Sequence, residues 1–265
     1  MKENRNNPSH RDAEADGVIE GRNAVIEALR AGTAIDKIYL AKGETDAALG
    51  HIASAARSKG VVVVDVDRRK LDYMSRTRAH QGVIAMAAVR EYASVEDILA
   101  WAEERGEPPL IVVCDELSDP HNLGAVIRTA ECAGAHGVVI PKRRSAGLTA
   151  VVAKTSAGAV SHLPVARVPN LTALLKELKK EGGLDLWRGH ERYHWIICCG
   201  SEGPAAIVIG SEGSGMSRLV AETCDFTVSI PMKGKINSLN ASAAAAILLY
   251  EAVRQRQGGG AQTNT

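Results

Sequence analysis

Aromatic residues are scarce in this chain: one Phe, three Trp and five Tyr, 3% of 265 residues. Hydrophobic residues still make up 45%, so the core they form is aliphatic. The five cysteines (Cys114, Cys132, Cys198, Cys199 and Cys224) have no disulfide-framework spacing. No apolar run approaches the roughly 18 residues needed to span a bilayer, and no signal-peptide pattern is present. The expectation is therefore a cytoplasmic, reduced setting without a membrane. Charge of one sign is lacking too: the net charge of +1 excludes a uniformly basic coat and permits only local basic patches.

What is present is alternation. Val/Ile-rich runs are separated by Ala/Leu-rich helical stretches, which points to an α/β architecture. Residues 1–15 and 258–265 are polar or Gly-rich and read as disordered tails. Residues 16–90 hold enough alternating elements for a small α/β domain. Residues 91–109 include a helix from Val95 to Arg105 and then Gly106-Glu107-Pro108-Pro109; paired prolines cannot continue a helix, so a linker is expected there. Residues 110–257 alternate strands and helices, which predicts a mainly parallel sheet with ligands at the carboxyl ends of its strands.

Three segments carry the chemistry. The apolar run Ala205–Ile209 leads into Gly210-Ser211-Glu212-Gly213-Ser214-Gly215 and then a helix-like stretch from Met216. Glycines at such a turn let backbone approach a ligand closely. The spacing is neither GxGxxG nor a P-loop, and helix capping alone accounts for one or two of the glycines. Glu212 is the awkward residue for that plain reading. The second segment runs from Asp119-Pro120 through Asn122 to Arg128, with Asn122 as a good N-cap. Alone, Arg128 is no more than a solvated helix residue. The third is Ile230-Pro231 followed by Ser238-Leu239-Asn240, ahead of the small residues Ala241–Ala246; taken alone, Ser238 is a helix cap.

Together these segments resemble one family. Asn-Leu-Gly-Ala-Val-Ile-Arg-Thr-Ala (122–130), Ile-Gly-Ser-Glu-Gly-Ser-Gly-Met (209–216) and Ile-Pro-Met with Ser-Leu-Asn-Ala-Ser (230–242) look like the signature motifs of SPOUT-class RNA ribose 2′-O-methyltransferases. The likeness is to the TrmH family, RlmB-like branch. Val18-Ile19-Glu20-Gly21-Arg22-Asn23-Ala24-Val25 resembles the start of that branch's small RNA-binding domain. The resemblance covers about residues 17–257 and implies a small N-terminal α/β substrate-binding domain and a C-terminal SPOUT α/β domain with a deep trefoil knot. It also implies S-adenosylmethionine as cofactor, a homodimer, and a guanosine of 23S ribosomal RNA, free or in a pre-ribosomal particle, as target. A transfer RNA target and a non-catalytic RNA-binding assembly factor stay open as alternatives. By motif position, Gly210, Ile230 and Leu239, with Gly213 and Gly215, hold the cofactor, largely through backbone groups. Asn122, Arg128, Glu212, Ser238 and Asn240 line the reaction centre. Guanidinium stays protonated above about pH 12, so Arg128 is better suited to clamping a phosphate than to acting as a base.

Arg68, Arg69, Lys70, Arg76 and Arg78 put five basic residues within eleven positions. Such a cluster is commonly a solvated face; beside the methyltransferase motifs it becomes a candidate RNA contact, as do Lys142 and Arg143. With few aromatics to stack on bases, recognition of RNA shape and backbone is expected. Residues 185–203 depart from the family pattern. His190, His194, Cys198 and Cys199 lack CxxC spacing, so no metal is expected. Back-translated with ordinary codons and read one base out of register, Trp187–Pro204 can give GEDMNGTTGLFAADLKGP, which resembles the family's usual segment. That suggests a pair of compensating frameshifts, which resequencing of the DNA tests.

Overall fold

The computed structural model describes residues 17–44, 46–189, 203–211, 215–236 and 238–258. Both expected tails, apart from Gly258, and most of the departing segment lie outside these residues. The chain divides into two compact units: residues up to Glu91 together with Gly147–Ala153, and Tyr92–Ala146 together with Lys154 onward.

The first unit is a four-stranded sheet in the order β1-β4-β2-β3, from β1 (Val18–Glu20), β2 (Ile35–Ala41), β3 (Val62–Val66) and β4 (Val83–Ala87). β4 runs antiparallel to β1 and β2, while β2 and β3 are parallel. Side chains alternate across the sheet. Ile38, Leu40, Val83 and Ala85 pack with Val25 and Leu29 of α1 (Arg22–Ala31) and with Leu49, Ile52 and Ala56 of α2 (Ala47–Ser58). Ala41, Val66 and Ile84 face the other way, onto Leu71 of α3 (Arg68–Met74). Asp46 and Asp67 cap α2 and α3 by accepting from Ala48 and Arg69 backbone N–H groups.

The second unit is a six-stranded sheet in the order β10-β8-β9-β5-β6-β7, comprising β5 (Leu110–Cys114), β6 (Gly137–Pro141), β7 (Val165–Val168), β8 (Asp185–Gly189), β9 (Ala205–Ile209) and β10 (Phe226–Val228). Every pairing is parallel, so all six carboxyl ends lie along one edge. β5 and β9 are buried throughout, as strands covered on both faces must be. The remaining helices are α4 (Val95–Glu104), α5 (Pro120–Cys132), α6 (Ala150–Thr155), α7 (Leu171–Gly182), α8 (Arg218–Thr223) and α9 (Ala241–Arg256).

The division falls earlier than a linker at 91–109 allows. α4 belongs to the second unit: its Val95 and Ile98 join the cluster that contains Ile111, Val113 and Val139. The stretch 106–109 is also tied down. Glu107 meets the buried His136 at 3.1 Å, and the Arg256 guanidinium donates to the Pro108 and Pro109 carbonyls at 2.7 and 2.9 Å. Prolines ended a helix there without freeing the chain. Asp185–Gly189, expected to break the strand pattern, forms β8 between β10 and β9.

Candidate functional site

The three motif segments leave the sheet at its carboxyl edge. Gly210 follows β9, Ile230 follows β10, and α5 begins five residues after β5 ends. Asp119 rather than Asn122 caps α5, its carboxylate accepting from His121 N–H at 3.0 Å, with Pro120 in the first turn. Proline there costs nothing, because its missing N–H has no partner in a first helical turn. Asn122 is thereby moved into the helix, where it is 6% exposed. Its side-chain oxygen accepts from the Asn240 amide at 2.9 Å.

Asn240, not Ser238, caps α9. Its Oδ1 takes the Ser242 and Ala243 N–H groups at 3.0 and 3.3 Å and the Ser242 hydroxyl at 2.6 Å. The side chain therefore joins two motifs 118 residues apart while opening the second one's helix. The Ala-rich start of α9 lies along α5, where small side chains permit close approach. Ser238 and Leu239 precede this cap in exposed backbone, and Ile230 is half-buried.

The Gly-rich turn folds back on itself. Ser211 and Gly215 exchange both backbone hydrogen bonds, at 2.9 and 3.0 Å, with Gly215 at φ +67°. A Cβ on Gly210 would stand 2.6 Å from Gly215 C and Met216 N, so only glycine fits. Glu212 and Gly213 lie outside the described residues. Past the turn, Asp115 at the end of β5 accepts from Ser217 N–H at 2.7 Å and is 4% exposed. Asp115 thus ties the Gly-rich segment to β5. The sequence reading missed it, although an acidic residue closing the apolar run Leu110–Cys114 was the signal. Burial, with the Asp115 charge beside it, pushes the Cys114 thiol up to about 12, so this cysteine is inert.

Arg128 is not drawn into the asparagine pair. Six residues beyond Asn122 it points about 120° away around the helix. It is exposed and has no hydrogen bond or ion pair among the described residues. Its guanidinium is available to an incoming anion. At the same sheet edge, after β6, Lys142 donates its N–H to Val168 and Arg143 is exposed.

In the first unit the basic residues differ among themselves. Arg68 pairs with Glu44, Arg69 with Asp67 at 3.2 Å, and Lys70 lies over the Tyr39 ring at 5.2 Å. Arg76 and Arg78 sit in a loop whose backbone is held by Glu20. The Glu20 carboxyl is held below its usual range: burial raises it, but bonds from Ser75, Arg76 and Thr77 outweigh that.

A cofactor held by strand-end backbone suits these residues. Gly210 leaves no side chain between β9 and the turn, and Ile230 and Leu239 supply apolar surface without opposing a cation.

Comparison with known proteins agrees. Residues 109–250 match the model of the SpoU rRNA Methylase family, and residues 18–93 match that of the RNA 2'-O ribose methyltransferase substrate binding domain. YacO of Bacillus subtilis strain 168, named as a TrmH family tRNA/rRNA methyltransferase, is 46% identical over 238 residues, covering 90% of this chain and 95% of its own. The SpoU methyltransferase AviRb of Streptomyces viridochromogenes, solved in complex with AdoMet, is 25% identical with a TM-score of 0.59, covering 91% of both chains. An AdoMet-bound rRNA methyltransferase from Sinorhizobium meliloti is 25% identical with a TM-score of 0.56, covering 92% of this chain and 89% of its own. The chain belongs to the SpoU rRNA methylase family of RNA 2′-O-ribose methyltransferases.

Proposed function

We propose that this protein transfers the methyl group of S-adenosylmethionine to the ribose 2′-hydroxyl of a guanosine in 23S ribosomal RNA, acting as a cytoplasmic homodimer with a trefoil knot in its second unit. The observation that carries the reading is the Asn240–Asn122 hydrogen bond, which joins two motifs at the sheet edge where the glycine turn folds back. When bound, the cofactor supplies an electrophilic methyl on a sulfonium. Backbone around Gly210, Gly215, Ile230 and Leu239 holds it, with Gly213 of the same turn, and the apolar walls tolerate its positive charge. Asn122 and Asn240 fix the starts of α5 and α9, and Ser238 and Glu212 belong to the same centre by motif position. Arg128 clamps the phosphate next to the target ribose. Positioning of this kind is worth about 7–11 kcal/mol when reacting atoms are held near contact distance.

The RNA is held in part by the first unit, through Arg68, Arg69, Lys70, Arg76 and Arg78, with Lys142 and Arg143 on the second. Affinity then falls steeply with salt, since each neutralised phosphate releases counterions. A transfer RNA target is the second reading, favoured by the tRNA/rRNA naming of the relative YacO. Mapping 2′-O-methyl groups in RNA from a deletion strain decides: loss of one guanosine mark in 23S RNA supports the first reading, and loss of a tRNA mark the second. Calorimetric titration with S-adenosylmethionine tests the enzyme itself; absence of binding leaves only a non-catalytic assembly factor.

A further inference from the structure

Tyr73 is 76% exposed, the most exposed aromatic side chain among the described residues. A lone exposed ring needs no explanation; its neighbours set this one apart. Arg69 lies four residues earlier on α3, hence on the same face. Immediately after Tyr73 and Met74 the chain enters a loop that the rest of the unit holds rigid. The Glu20 carboxylate accepts from Ser75 Oγ at 2.5 Å, Arg76 N–H at 2.6 Å and Thr77 Oγ1 at 2.9 Å. Ser75 Oγ in turn accepts from Arg78 N–H at 2.8 Å, and Thr77 Oγ1 from Ala79 N–H at 3.2 Å. His80, 2% exposed, anchors the far end, with Nε2 at 2.9 Å from Asp72 Oδ1 and Nδ1 accepting from Gly82 N–H at 3.0 Å.

The loop's local polar groups are thus spent on one another, while the Arg76 and Arg78 side chains are exposed. Arg78 adopts φ +59°, a left-handed conformation that a non-glycine residue keeps only where its surroundings enforce it. A loop ordered in advance loses little freedom on binding. What it presents is a flat aromatic face with guanidinium groups before and after it in the chain. Guanidinium suits phosphate, and a bare phenol ring suits the face of a base.

We propose that Tyr73, Arg69, Arg76 and Arg78 form a reading site for one unpaired nucleotide of the RNA substrate. The ring stacks on the splayed base and the arginines hold the flanking phosphates. This rests on the reading of the first unit as the RNA-binding domain and deepens it: the substrate segment bound there is single-stranded, a loop or bulge, because bases in an A-form duplex present no free face. One stacking residue suffices for this even in a chain so poor in aromatics.

Fluorescence anisotropy of the full-length protein with a labelled short single-stranded RNA, and with the duplex of the same sequence, tests it. We expect Tyr73→Ala to weaken single-strand binding about ten-fold, within the range for loss of one stacked base, to leave duplex binding unchanged, and Tyr73→Phe to bind like the parent. Equal binding by Tyr73→Ala and the parent overturns the proposal, as does an equal loss on both RNAs, while salt-dependent binding by the parent keeps the RNA-binding reading intact. A parent protein that binds neither RNA removes that reading and the proposal with it.

Discussion

Asn240 shows how a single side chain can serve two ends. Its oxygen caps α9 and its amide reaches Asn122. The two roles separate by substitution. Asn240→Ala removes both and should lower stability by about 1 kcal/mol through the lost cap. Asn240→Ser keeps a capping hydroxyl but is too short to reach Asn122, so it should melt near the parent temperature yet lose most methyl transfer. Thermal melts and a tritiated-methyl transfer assay on the two variants check this; a fully active Ser variant removes Asn122 pairing from the mechanism. Arg128 poses the opposite case, an exposed group with no structural partner among the described residues. Arg128→Ala should leave stability and S-adenosylmethionine binding unchanged while nearly abolishing transfer. Turnover like that of the parent would refute its catalytic placement.

At the scale of the elements, the glycine turn and β8 are the informative pieces. Gly210 is required by space: any Cβ meets Gly215 and Met216 backbone at 2.6 Å. Gly210→Ala must therefore push the turn off β9, and calorimetry should show S-adenosylmethionine binding lost or weakened at least about ten-fold, the equivalent of 1.4 kcal/mol. β8 carries a different defect. Trp187 is 5% exposed and meets Phe226 edge-on at 5.9 Å, but its indole N–H has no hydrogen-bond partner. A buried unpaired donor costs about 1–3 kcal/mol. Trp187→Phe, which removes the donor and keeps an aromatic ring, should leave stability unchanged or raise it in denaturant titration. A large loss would mean that the indole's bulk, not its N–H, dominates there. Trp187 opens the segment whose codons, read one base out of register, resemble the family pattern; the rest of that segment from His190 to Glu202 lies outside the described residues.

For the whole molecule, acid is the condition that tests the second unit. His136 is fully buried; its Nδ1 accepts from Leu110 N–H at 3.0 Å and its Nε2 faces Glu107 at 3.1 Å. Burial first, and then the Arg105 charge, hold its pKa below the ordinary 6.5, although Glu107 opposes them. The unfolded chain therefore binds a proton that the folded one resists. This contribution is fully present above the unfolded value and is lost as pH falls through the folded one. Melting temperature should fall between about pH 7 and pH 5, and His136→Asn, which can still accept from Leu110, should flatten that slope. A slope unchanged in the variant places the acid sensitivity elsewhere.

Periodicity and turn chemistry were enough to locate nearly every helix and strand, because burial of one face imposes a repeat that local sequence carries. The motifs carried the family, because a backbone that must approach a ligand leaves glycines at fixed spacing. Strand order, the return of residues 147–153 to the first unit, and the boundary at Glu91 were decided only in three dimensions. A proline pair ends a helix whether or not a domain ends there, and only the burial of Val95 and Ile98 says on which side α4 packs. The caps were likewise settled by geometry: Asp119 displaced Asn122, and Asn240 displaced Ser238, since each competes for the same N–H groups and the tertiary partner chooses. Asp115 and Glu20 were invisible beforehand for the same reason. What they do depends on residues 102 and 55–57 positions away in the chain, and sequence records neighbours, not partners.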